Sequence, residues 1–231
     1  MSTNDYQDSA SSYAERGNVG TDSIAFAWLG QRFGQLQLRG NALDVGCGAG
    51  RSTRFLKSHG MDACGVDISQ SMVRQARCDD AAGSYASYAA DQPLPYGDEA
   101  FDLVLSTWVV LELDNIEALQ RFMCEVGRVL RTSGRAFLVT NTPEFYGHRW
   151  RTCDVDFPEN RPPLHVGQRV KARLLPEDVI VTDVFWDDAT YRRTLVNAGL
   201  QVSQVAHPLA HDPGDSAWLD ETRVAPWVIY E

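Results

Sequence analysis

The chain predicts an α/β protein, a parallel sheet with helices on both of its faces. Three observations carry that expectation. Apolar runs of strand length alternate with helical segments between residues 22 and 141, and the connections between them are short. The stretch LDVGCGAGRSTRFL, residues 43–56, takes an apolar strand through three glycines into a helix. The 231 residues, 44% of them hydrophobic and 23% charged, suffice for one sizeable domain with an insertion and fall short of two.

The elements follow in order. The polar first 20 residues carry Tyr6 and Tyr13 at helical spacing and read as one N-terminal helix. A first amphipathic helix is expected over 22–36, with Ile24, Phe26, Ala27 and Trp28 partly buried. NALDVG, 41–46, reads as a short buried strand, and the helix of 51–58 stops near Gly60, since glycine accepts the left-handed turn that ends a helix. DACGVDI, 62–68, is the second strand, and the Ser69 hydroxyl can cap the helix in QSMVRQARCDD. SYASYAA, 84–90, fits a third strand and FDLVLST, 101–107, a fourth. From Asn115 to Arg131, Leu119, Phe122, Met123, Val126, Val129 and Leu130 recur at spacings of three and four and draw one apolar helical face. TSGR ends that helix, and RAFLVTN, 135–141, is the fifth strand.

The alternation breaks between Thr142 and Trp186. PEFYGHRWRTCDVDFPENRPP is turn-rich and aromatic, and GQRVKARLL and EDVIVTDVF look like two strands joined across Pro176. This is an insertion. The alternation resumes with a helix in DATYRRTLVNAGL, a strand in QVSQVAHPL and a closing strand in APWVIYE.

Charge and cysteine usage exclude several roles. A net charge of -10 without a Lys/Arg run makes nucleic acid and anionic membrane poor partners, because neutralising phosphates needs a basic footprint. The five cysteines are scattered without CxxC spacing and read as buried thiols of a reducing compartment. No histidine, cysteine and aspartate cluster has ligand spacing, so no metal is expected. The polar, acidic N-terminus is no secretory or transit signal, and no apolar run reaches membrane-spanning length; a cytoplasmic protein is expected.

Gly46, Gly48 and Gly50 spell G-x-G-x-G, which differs from the G-x-G-x-x-G of dinucleotide sites, and no G-K-[ST] follows. The spacing points to a ligand that packs against the loop with no pyrophosphate to place.

Four pieces in order, LDVGCGAG, GVDIS with Met72, AADQPLPYGDEAFDLVLST and EVGRVLRTSGRAFLV, resemble the class I S-adenosylmethionine-dependent methyltransferases of small molecules. The resemblance is strong over 41–141. It implies a Rossmann-like, seven-stranded sheet of order 3-2-1-4-5-7-6 with the last strand antiparallel. It also implies one domain over 1–231, with an N-terminal lid at 1–20 and a substrate-capping insertion at 142–186. In the cofactor site it implies, Gly46, Gly48 and Gly50 leave room for the methionine and ribose, Asp44 holds the amino group directly or through water, and Asp67 accepts the ribose hydroxyls. Ile68 and Met72 would flank the adenine, Asp91 would take its exocyclic amine, and Ser106 and Trp108 would face the methionine arm. Tyr13 and Arg16 resemble a lid at the methionine carboxylate.

Relatives often carry histidine after the fourth strand, where this chain has Leu111 and Glu112. No family base therefore transfers. Among His148, His165, His207 and His211, His148 follows the fifth strand directly and is the first candidate base. The aromatic insertion, with Tyr146, Trp150, Phe157, Phe185 and Trp186, suits a small, partly apolar acceptor. The expectation is methyl transfer to an O or N atom of a metabolite, with a specialised natural product as one such acceptor. The oligomeric state is not legible. Three alternatives stand beside it: a protein that binds the sulfonium cofactor without transferring methyl, a nicotinamide-dependent oxidoreductase, and a transfer-RNA methyltransferase.

Overall fold

The computed structural model describes residues 19–211 and 217–231. Tyr6, Tyr13 and Arg16, and with them the expected N-terminal lid, lie outside the described residues.

The chain runs α1 (Asp22–Leu36), β1 (Asn41–Val45), α2 (Arg51–Ser58), β2 (Asp62–Asp67), α3 (Gln70–Asp79), β3 (Ser84–Ser87), β4 (Phe101–Thr107), α4 (Ile116–Val129) and β5 (Leu130–Asn141). It continues through β6 (Cys153–Asp154), β7 (Arg169–Leu174), β8 (Val179–Val184), α5 (Asp188–Asn197), β9 (Val205–Ala206) and β10 (Trp227–Tyr230). Seven strands form one sheet in the order β3-β2-β1-β4-β5-β10-β9. β10 runs antiparallel to both β5 and β9, and the other pairings are parallel. This is the expected order, with β6, β7 and β8 intervening in sequence as a separate antiparallel sheet.

Local chemistry explains the boundaries. Ser69 Oγ accepts from the Met72 amide at 3.4 Å and caps α3, and Asn115 Oδ1 accepts from the Ala118 amide at 2.8 Å and caps α4. β1 and β4 are buried nearly end to end, as interior parallel strands covered on both faces must be. The apolar stripe of α4 buries Leu119, Met123, Val126 and Val129 against the sheet.

Several expectations are corrected. Within α1 the inward residues are Ile24, Ala25, Phe26, Leu29 and Phe33, while Ala27 is exposed. The residues TSGR form no turn. β5 starts at Leu130, directly after α4, because Leu130 pairs with Phe101 and the register shifts between Phe101 and Leu103. The strand read over 201–209 shrinks to Val205–Ala206, an edge piece held only by β10. The thiols are not uniformly buried: Cys47 and Cys153 are, Cys64 is intermediate, and Cys78 and Cys124 are exposed. No described helix is long and apolar enough to cross a membrane.

The insertion is tied to the sheet by aromatic stacking and by one buried carboxylate. Phe145 stacks between Trp150 and Trp227, at 5.5 and 5.1 Å between centroids, and Trp227 meets Trp108 edge-on at 5.1 Å. Fully buried Glu221 accepts from the Thr21 hydroxyl and from the Arg151 and Leu219 amides. It thereby joins the start of α1, the insertion and the segment before β10.

Candidate active site

Two adjoining cavities open at the C-terminal ends of the parallel strands, where open α/β sheets bind ligands. The larger, about 900 Å³, is lined by Gly46, Gly48, Asp67, Ile68, Met72, Asp91, Trp108 and Glu112, with residues of α3 and α4 around them. The smaller, about 50 Å³, lies between β4, β5 and the inward face of the β6–β7–β8 sheet. Trp108 and Glu112 line both.

The glycines divide their work. Gly46 (φ +77°) must lack a side chain, since a Cβ there would lie 2.1 Å from Val109 Cγ2. At Gly48 (φ +51°), which lines the larger cavity, a Cβ would meet nothing within 4 Å. The missing side chain of Gly48 is therefore cavity space. Gly50 packs under the Tyr85 hydroxyl, 2.8 Å from where its Cβ would stand, so it serves the turn and not the cavity.

Asp67 ends β2 at the cavity wall. Its Oδ2 accepts from the Gly48 amide and its Oδ1 from the Ser69 amide, each at 2.8 Å. Each oxygen keeps a lone pair, so the carboxylate can still accept two hydroxyls of a ligand. Burial raises its pKa, and the same backbone amides oppose that shift. Met72 is 2% exposed, Ile68 39% exposed, and both line the cavity, as does exposed Asp91.

Asp44 lies elsewhere. It is fully buried, does not line the cavity, and its Oδ2 accepts from the Ser52 and Thr53 hydroxyls at 2.6 Å each. It thus pins the first turn of α2 beneath the glycine loop, while Oδ1 is left without a hydrogen-bond partner. Burial lifts its pKa to about 6. Ser106 is also buried, outside both cavity linings, with its Oγ unpartnered.

Trp108 holds a left-handed backbone (φ +58°) that few bulky residues adopt. Its indole is set between the two cavities, the Arg51 guanidinium lies 5.3 Å from its ring centroid, and its Nε1 is buried and unpartnered. Arg51 in turn pairs with Asp22 at 2.8 Å. Trp108 thus combines a left-handed backbone, an unsatisfied buried donor and a place in both cavity linings.

The remaining histidine expectation fares differently. His148 lies outside the linings of both cavities; its side chain is 38% exposed and its Nδ1 stands 3.5 Å from Asp220 Oδ2. Sequence reading passed over two residues that line the smaller cavity, Asp183 on β8 and Asn141, whose shared neighbour Tyr146 it placed in the aromatic insertion. On the cap sheet the inward positions Val170, Ala172 and Val181 are apolar, and Asp183 continues that row. A carboxylate at an inward position of a period-two strand was the available signal. Among the described residues no group of three or more His, Cys, Asp or Glu could hold a metal.

The larger cavity fits an adenosyl-methionine ligand by its own chemistry: a side-chain-free cradle at Gly48, a ribose-suited carboxylate at Asp67 and a thioether surface at Met72.

Residues 43–138 match a family model described as a methyltransferase domain. The chain is 36% identical over 94 residues to a demethylmenaquinone methyltransferase of Tropheryma whipplei, covering 40% of this chain and 38% of that protein. It is 32% identical over 126 residues to a malonyl-[acyl-carrier protein] O-methyltransferase of Pseudescherichia vulneris, covering 52% and 48%. The chain thus spans about half or less of the length of these curated relatives. Among solved structures, an S-adenosylmethionine-dependent methyltransferase from Mesorhizobium loti superposes with a TM-score of 0.65 at 20% identity, over 91% of this chain and 98% of that one.

Proposed function

We propose that this chain, a class I S-adenosylmethionine-dependent methyltransferase, moves the cofactor's methyl group to an O or N atom of a small-molecule metabolite. The sulfonium of the cofactor supplies an electrophilic methyl, so the protein's task is to hold the acceptor in line with it and to exclude water. The observation that carries the reading is the pair of adjoining cavities meeting at Trp108: one lined by Gly48, Asp67 and Met72, the other aromatic and narrow. Gly48 and Asp67 would seat the methionine and ribose, and Met72, Ile68 and Asp91 the adenine. Trp108 would stand beside the methyl. The acidic chain and the aromatic walls of the second cavity favour a small acceptor over nucleic acid.

Calorimetric titration with S-adenosylhomocysteine, beside NADH, tests this. Micromolar binding of the first, none of NADH, and a large loss with Asp67→Ala are expected. A folded protein that ignores S-adenosylhomocysteine would overturn the reading.

A further inference from the structure

The smaller cavity has an unusual wall. Asp183 is 2% exposed, lines the cavity, and its Oδ1 has no hydrogen-bond partner. Its Oδ2 is touched only at long range by the Tyr146 hydroxyl, 3.4 Å away, and that hydroxyl itself accepts from Asn141 Nδ2 at 2.9 Å. A second carboxylate, Glu112, also lines the cavity, from the short helical turn Val110–Glu112 on which β8 packs. Asp22, which also lines the wall, pairs with Arg51. Trp108, Phe145 and Trp227 supply the apolar faces.

A buried carboxyl with an unpartnered oxygen, set in an aromatic slot, gains more from a cationic acceptor that ionises it than from an anionic one, and the rings also favour the cation. We propose that this cavity receives the ammonium head of an acceptor amine, and that Asp183 is the group that takes its proton. The inference rests on the methyltransferase reading and narrows it to nitrogen. The amine enters protonated and is held by Asp183 and Glu112. An N–H proton passes to Asp183, and the freed nitrogen lone pair forms the new bond to the methyl carbon. The carbon–sulfur pair stays on sulfur, and the product leaves as the methylated ammonium.

The resting state agrees with this. Burial, with the Glu112 charge added, raises the Asp183 pKa well above the usual carboxylate range, and the Tyr146 hydroxyl opposes it. The other ionisable groups near Asp183 are the Tyr191 phenol from α5, itself pushed up by burial, and Asp22 in the same cavity wall, paired with Arg51. Asp183 is thus biased toward its neutral form, and a cation that ionises it displaces that proton to solvent.

The test uses benzylamine and benzyl alcohol as probes on the full chain loaded with S-adenosylhomocysteine. Benzylamine should bind with proton release, read by calorimetry in buffers of different ionisation enthalpy, and benzyl alcohol at least tenfold more weakly. Asp183→Asn should lose tenfold or more in benzylamine affinity and all of the proton release, while keeping S-adenosylhomocysteine affinity within twofold. Glu112→Gln should move the pH midpoint of benzylamine binding downward. Equal binding of both probes, no benzylamine binding, or full benzylamine affinity in Asp183→Asn would each overturn the proposal. Loss of S-adenosylhomocysteine binding by the unaltered protein would instead sink the methyltransferase reading.

Discussion

The amide of Gly48 donates to Asp67 Oδ2 at 2.8 Å, so the loop after β1 and the end of β2 form one wall of the larger cavity. The glycine contributes empty space and an N–H, and the aspartate contributes lone pairs. Removing the carboxylate takes away the loop's anchor and, in the proposed site, the group that would accept the ribose hydroxyls. Asp67→Ala is expected to weaken S-adenosylhomocysteine by about 10- to 100-fold, the scale of a hydrogen bond to a charged group, about 1.5–3 kcal/mol. Calorimetry reads the affinity, and an unchanged dissociation constant would remove Asp67 from the site.

Gly46 and Gly48 should separate stability from binding. Gly46→Ala puts a methyl 2.1 Å from Val109 Cγ2 at φ +77°, and the left-handed strain plus overpacking should cost about 2–4 kcal/mol in urea unfolding. Gly48→Ala meets no atom, so its folding cost stays near the left-handed term of about 1–2 kcal/mol. Its methyl takes ligand space, and S-adenosylhomocysteine affinity should fall at least tenfold. Parallel behaviour of the two variants in both assays would contradict this division.

Asp44 ties stability to pH. Its pKa rises on folding from 3.8 to about 6, so the fold prefers its protonated form. The stability it contributes is full below about pH 4 and is lost as pH rises through about 6. The loss amounts to about 2–3 kcal/mol. Asp44→Asn keeps an oxygen for the Ser52 and Thr53 hydroxyls and never ionises. Urea unfolding across that pH range should therefore show the decline in the native chain reduced by this amount in the variant. Identical pH slopes would mean that Asp44 does not titrate there.

His148 is half-exposed and outside both cavities, beside Asp220. His148→Ala is expected to keep the turnover of any acceptor found with labelled cofactor within about threefold. A drop of a hundredfold, on the scale that general-base catalysis contributes, would restore it as the base.

The sheet was legible because its signals are local. Strand runs such as FDLVLST, the α4 stripe and the Ser69 and Asn115 caps each act within a few residues, and each stands where the sequence places it. Errors fell where pairing with a distant strand decides. β5 begins at Leu130 because Phe101, 29 residues earlier, accepts its register, and β9 is short because only β10 holds it.

The sequence by itself determined the element order, the glycine loop and the carboxylate that ends β2, since these are carried by residues close together in the chain. The tertiary structure alone decided which carboxylates share a cavity. Asp183 and Glu112 are far apart in sequence, and only the folding of β8 onto the turn after β4 sets their charges against each other. It also decided that Asp44 anchors α2 instead of lining the cavity, and that His148 faces Asp220. Side-chain direction at a site depends on which distant surfaces exclude water, and no local pattern records that.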